Sequence, residues 1–156
     1  EGWSAVATRL GEAPPGAEDM GLSMDRWGRA MALWTQPGSS AGSWFLATAR
    51  FTPEEGWRSV SVGYRSASQP SVASDGQGNF HLVWVENAYG IDQIFAARYP
   101  EGATTLGPVQ EMEPRHGGTS KRPRVRANGT GSAMAVWYRD NGGGYSSNLV
   151  YAAAYE

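Results

Sequence analysis

The residues best equipped for chemistry sit in three polar stretches that each follow a Trp. After Trp34 comes Gln36. After Trp84 come Glu86, Asn87 and Tyr89, and after Trp137 come Arg139, Asp140, Asn141 and Tyr145. An aromatic ring beside Asn, Asp and Arg suits sugar recognition: the ring face takes C–H bonds and the polar groups fix hydroxyls. These stretches differ from one another while their surroundings repeat, and binding residues are commonly carried on loops over a rigid frame. Any ligand bound there is expected to be a glycan.

Other chemically capable residues carry plainer readings. His81 stands where the repeat has Met31 and Met134, with no Ser or carboxylate at a catalytic spacing, so a packed, hydrogen-bonded histidine is expected. His116, in Arg115-His116-Gly117-Gly118, reads as a solvated loop residue. Lys121-Arg122-Pro123-Arg124-Val125-Arg126 would attract phosphate or an acidic glycan, but its charges alternate with a strand pleat. A solvated edge or the lining of a ring channel is the expectation there. One carboxylate per turn at Asp25 and Asp75, replaced by Asn128, is a poor calcium site and a good turn cap. Asn128-Gly129-Thr130 fits the glycosylation sequon but falls inside that tight turn. Trp27 reads as an exposed aromatic. No metal or cofactor site is expected, and with no paired carboxylates, nucleophile elbow or phosphate loop the expectation is a non-enzyme.

Composition narrows the setting. Thirteen basic against 15 acidic residues in 156 leave no global field for nucleic acid or a membrane surface. With no Cys, disulfides, zinc thiolates and thiol nucleophiles are excluded. No run of about 18 apolar residues marks a membrane helix. The first residue is not Met, as in a processed chain or an excised piece. Twenty-one Gly, seven Trp and seven Tyr, with little helical periodicity, indicate all-β structure.

The elements that must position these residues come from a repeat. Asp75-Gly76-Gln77-Gly78-Asn79-Phe80-His81-Leu82-Val83-Trp84 aligns without gaps with Asp25 to Trp34 and with Asn128 to Trp137, at offsets of 50 and 53 residues. Its recurring skeleton is Asp/Asn, then Gly28, Gly78 or Gly131, then Trp34, Trp84 or Trp137. The first part predicts a tight turn and the second a strand with both faces apolar, hence covered on both sides. A third strand follows each polar loop, ending at Phe51, Tyr99 and Tyr155. A fourth is predicted at Gly56–Val60 and at Leu106–Val109, and after the third copy the chain stops. Counting from Trp137 to the end and on from residue 1, Trp3 falls 22 residues on, the spacing from Trp84 to Leu106. The predicted units are therefore 18–62, 68–112 and 121–156, with the outer strand of the last supplied from residues 1–10. Trp34, Trp84, Trp137, Trp57 and Trp3 are expected to be packing residues.

Three four-stranded antiparallel units, each with a Trp, are the pattern of β-propeller blades. The chain resembles bacterial propellers whose blades read P-x-V-x-x-D-x-x-G-x-x-x-x-V-W, most fully at Pro70 to Trp84 and Pro123 to Trp137. The first copy departs, with Met20, Leu22 and Leu33 in place of Pro and the two Val. The glycosidase box S-x-D-x-G-x-x-W fails around Asp75, where Ala73 and Gln77 replace Ser and Gly and Trp84 lies nine residues on. Closed propellers have about four to eight blades, so the resemblance implies that two chains pair head to tail into a six-bladed ring. Residues 1–10, through Trp3 and Val6, would then complete the partner's last blade. The expected function is a binding or scaffold module, lectin-like through its loops. The alternatives are half of a propeller hydrolase such as a glycosidase, and an excised or engineered fragment without a ligand.

Overall fold

The computed structural model describes residues 2, 6–12, 19–38, 43–60, 66–88, 90–113, 118–140 and 148–156. The chain folds as three antiparallel sheets. The first comprises β1 (Met20–Met24), β2 (Ala30–Pro37), β3 (Trp44–Thr52) and β4 (Gly56–Val60) in that order. The second comprises β5 (Ala67–Ser74), β6 (Phe80–Ala88), β7 (Ile91–Tyr99) and β8 (Gln110–Glu111). The third holds β9 (Ser120–Ala127), β10 (Ala133–Asp140) and β11 (Asn148–Tyr155), and among the described residues no strand pairs with the outer edge of β11.

Each first hairpin turns on the repeated Asp/Asn. Asp75 accepts from the backbone N–H of Gln77 and Asn79, at 2.9 and 3.2 Å. Asp25 does the same for Trp27 and Arg29, and Asn128 for Thr130 and Ser132. Gly28, Gly78 and Gly131 close these turns at φ of 80°, 98° and 95°, a region costly for residues with a Cβ.

The Trp of each unit points to one side of its sheet, here termed the front. The front of sheet 2, with Phe80, Leu82 and Trp84, packs on the back of sheet 1, with Met31, Leu33 and Leu46. The front of sheet 3, with Ala135 and Trp137, packs in turn on Val83, Val85 and Ile94 at the back of sheet 2. The stack is therefore directional, and its two ends differ from its middle. On the front, Val72 and Val125 are 6% and 2% exposed, while their counterpart Leu22 in sheet 1 is 66% exposed. On the back, Leu33 and Val83 are 1% and 2% exposed, while Val136 in sheet 3 is 41% exposed. At these positions the terminal sheets thus expose apolar side chains that the inner interfaces bury.

One expectation is corrected, and another concerns a second copy. Within the single chain Val6 to Leu10, the described end of the segment expected to lend a strand to a partner, form no strand. Instead, Leu10 lies on the Trp34–Ala47–Ala49 cluster at the front of sheet 1, and the Glu12 carbonyl accepts from Trp34 Nε1 at 3.0 Å. A strand needs an edge to pair with, and the edge matching this segment in phase is β11, beyond two sheets. Trp3 itself lies outside the described residues. In sheet 2 the fourth strand falls at Gln110–Glu111, not at Leu106–Val109. Pro108 has no N–H for a ladder, so pairing there is confined to Gly107 N–H donating to Arg98 O at 2.8 Å.

Candidate functional site

Strands β2, β6 and β10 leave their sheets at the same end, and two residues past each Trp they present Gln36, Glu86 and Arg139. These three half-buried side chains occupy one repeat position, yet one is neutral, one acidic and one basic. Their Trp neighbours are treated accordingly. Trp84 Nε1 donates to Glu86 Oε2 at 3.3 Å, whereas Trp137 Nε1 is buried and has no hydrogen-bond partner among the described residues. Burial pushes the Glu86 carboxyl above the usual carboxylate range, opposed by the Trp84 hydrogen bond.

Beside Arg139, a second carboxylate comes from the connector between β8 and β9. Glu113 Oε2 is 3.6 Å from the Arg139 guanidinium, and among the described residues neither Glu113 oxygen has a hydrogen bond. Ser120, paired with Arg139 in the β9–β10 register, also buries a hydroxyl that has no hydrogen bond among the described residues. Buried polar atoms are nearly always hydrogen-bonded, so Glu113, Ser120 and Trp137 leave unused bonding capacity at the loop end. Arg139 lies 5.6 Å from the centre of the Tyr151 ring. Asp140 is half-buried, its N–H donating to Thr119 O at 2.9 Å. Asn87 is exposed and donates to Asp92 Oδ1 at 2.7 Å.

Thus each sheet contributes one of the sequence-derived candidates Gln36, Glu86 with Asn87, and Arg139 with Asp140 to the same end. Tyr89, Asn141, Tyr145 and His116 lie outside the described residues. Glu113 and Ser120 escape sequence reasoning because one sits in a connector and the other opens a strand, with no local pattern to mark them. Gln69 and Arg122 escape it too. Both are left-handed, at φ of 51° and 55°, and Arg122 N–H donates to Gln69 Oε1 at 2.5 Å. Each precedes a Pro that cannot donate to the ladder, and the pairing register shifts beside each. The repeated Gln69-Pro70 and Arg122-Pro123 dipeptides are the available signal.

The remaining candidates take other places. Trp34, Trp84 and Trp137 are buried between or against sheets and offer no open ring face. Trp27 is exposed, but the guanidinium carbons of Arg26 and Arg29 lie 4.2 and 4.7 Å from its ring centre. His81 is buried near the opposite end, its Nε2 3.6 Å from Asp75 Oδ2 and its ring 4.8 Å from that of Tyr155. Arg122, Arg124 and Arg126 are exposed while Pro123 and Val125 are buried. Among the described residues, no group of three or more His, Asp or Glu is placed to hold a metal.

Comparison of the sequence with protein-family models and with curated proteins returns no match. Among solved structures, the fold is similar to that of an α-L-arabinanase from Penicillium chrysogenum, solved in complex with arabinobiose. The TM-score is 0.61 at 13% sequence identity, over 88% of this chain and 46% of the arabinanase chain. The chain therefore spans about half the length of the structure it matches, and what the two share is an all-β, propeller-like stack of antiparallel sheets.

Proposed function

We propose that this chain is half of a carbohydrate-binding β-propeller, completed head to tail by a second copy, with its ligand at the loop end. One observation carries the reading. Leu22 on the front of sheet 1 and Val136 on the back of sheet 3 are exposed where their counterparts at the inner interfaces are buried, so each end of the stack fits as the missing neighbour of the other. Contiguous apolar patches of this kind mark interaction surfaces. A pair of three-sheet chains makes a ring of six blades, within the usual range of about four to eight. Pairing also brings the loop ends of six sheets around one mouth.

The ligand class is supported by chemistry and by likeness. The loop end combines Glu86, Asn87, Arg139 and Asp140, which suit hydroxyl groups, and the similar fold belongs to a protein solved with an arabinose disaccharide. A hydrolytic reading is favoured by one further observation: Glu86 holds its proton more tightly than an ordinary carboxyl, as a general acid must. A glycosidase would then need a second carboxylate across the bond, and Glu113 and Asp140 lie at the same end.

The test is titration of the paired protein with a panel of short arabinose and other pentose and hexose oligosaccharides, with product analysis. Binding without product, weakened at least tenfold by Arg139→Ala, is the expected result. Product formation abolished by Glu86→Gln would establish the hydrolase instead. A panel without a hit would leave a scaffold with no small ligand and retire both.

A further inference from the structure

Side-chain volumes along the repeat compensate one another. Where sheet 1 has Ala30 and Ala32, sheet 2 has Phe80 and Leu82, and sheet 3 has Ala133 and Ala135. The residue at matching phase after each third strand runs the other way: Trp57 in β4, Leu106 ahead of β8 and, counting on from the end of the chain, Trp3. Small pairs go with Trp and the large pair with Leu, as a densely packed layer requires. Sheet 1 shows the partnership directly. Trp57 packs on the cluster of Ala49 and Ala32, opposite Phe51 in the register, with the two rings 5.4 Å apart and tilted by 55°.

In sheet 3 the counterparts of those residues line empty space. Ala135, Ala153 and Tyr155 form one wall of a cavity of about 400 Å³, and His81, Arg98 and Met112 form the other. The cavity lies between sheets 2 and 3, beside the edge of β11 that no described strand covers. The connectors that precede the sheets support the same partnership. Met112, in the connector from β8 to β9, packs against the Trp137 cluster, and Leu10, ahead of β1, packs in the same way against Trp34. By this equivalence the segment ahead of Leu10 corresponds in chain order to β8, the outer strand of sheet 2.

We propose that this cavity is the socket for Trp3 of a second copy, whose Trp3 to Val6 segment pairs antiparallel with β11. The register copies β3–β4, where Phe51 faces Trp57 and Thr48 faces Val60, so Trp3 faces Tyr155 and Val6 faces Ala152 across the two chains. An uncovered strand edge is a ready acceptor for such a strand, main-chain bonds adding to the apolar contact. The inference rests on the pairing of two copies proposed above and locates where they interlock.

The chain has no Cys, so engineered thiols report without background. Mixing a Val6→Cys chain with an Ala152→Cys chain under mild oxidation is expected to give a cross-linked pair that neither chain gives alone. Trp3→Ala is expected to raise the dissociation constant of the pair at least tenfold with an unchanged far-ultraviolet circular dichroism spectrum. Ala135→Leu, which installs the residue sheet 2 has there, should do the same by filling the socket. If light scattering shows paired wild-type protein, yet the mixture does not cross-link and both substitutions leave the dissociation constant unchanged, the socket is overturned while pairing stands. A wild-type monomer at low micromolar concentration overturns both.

Discussion

At His81 three influences compete. Burial disfavours the imidazolium, the nearby Arg98 guanidinium adds to that, and the Asp75 carboxylate 3.6 Å away opposes both. The balance leaves the imidazole below its ordinary value of 6.5. The unfolded chain therefore takes up a proton at a higher pH than the folded one, and stability falls as pH drops through 6.5 toward the folded value. Asp75 does not contribute in that window. Burial tends to raise its pKa, but the N–H of Gln77 and the amides of Asn79 outweigh it and hold the carboxyl below 3.8. Its stabilisation is present above 3.8 and is lost only at lower pH. His81→Met, which installs the residue found at this position in the other two units, should remove the loss of stability between about pH 6.5 and 5. Urea unfolding at several pH values measures it, and an unchanged slope in the variant would assign the effect to another group.

At the scale of the element, the hairpins show how much of the fold the sequence carries. Turn and Trp recur with fixed spacing because each sheet needs both, so strand order and the directional stack are legible from three short segments. The same turn is built at two depths, which sets a prediction. Asp75 is fully buried and bonded to three N–H groups, one of them Asn79 Nδ2 at 2.6 Å, while Asn128 in the equivalent turn is exposed. Asp75→Ala strands buried donors and should cost about 2–3 kcal/mol, whereas Asn128→Ala should cost about 1 kcal/mol or less. Equal losses in chemical denaturation would show that the turn, and not its burial, sets the energy. What escapes sequence reading is equally physical. The bulges at Gln69 and Arg122 arise from a broken ladder, a tertiary consequence of Pro70 and Pro123. Glu113 reaches Arg139 only because a connector crosses between sheets, and no periodicity marks that. Phase alone assigns the N-terminal segment to a strand, but phase names the edge it matches and does not bring that edge within reach of its own chain.

At the scale of the whole molecule, the two terminal faces are different surfaces, and that difference makes head-to-tail pairing separable from nonspecific association. A patch that merely sticks to itself would be weakened by a charge and not rescued by an opposite charge on the other face. In the inner interface, Val72 and Leu33, the counterparts of Leu22 and Val136, belong to one core cluster. Leu22→Glu places a carboxylate on the front of sheet 1, and Val136→Arg places a guanidinium on the back of sheet 3. In a symmetric pair each substitution spoils both interfaces, so each chain alone should be monomeric at low micromolar concentration by light scattering. Mixed, the two chains form one interface of unaltered faces and one in which the introduced carboxylate of one chain meets the introduced guanidinium of the other. The mixture should therefore recover a species of twice 16.8 kDa. Salt should weaken that species more than it weakens the wild-type pair, because only the substituted interface depends on a charge pair within screening range. Recovery with either single variant alone, or none in the mixture while the wild type pairs, would rule out head-to-tail closure.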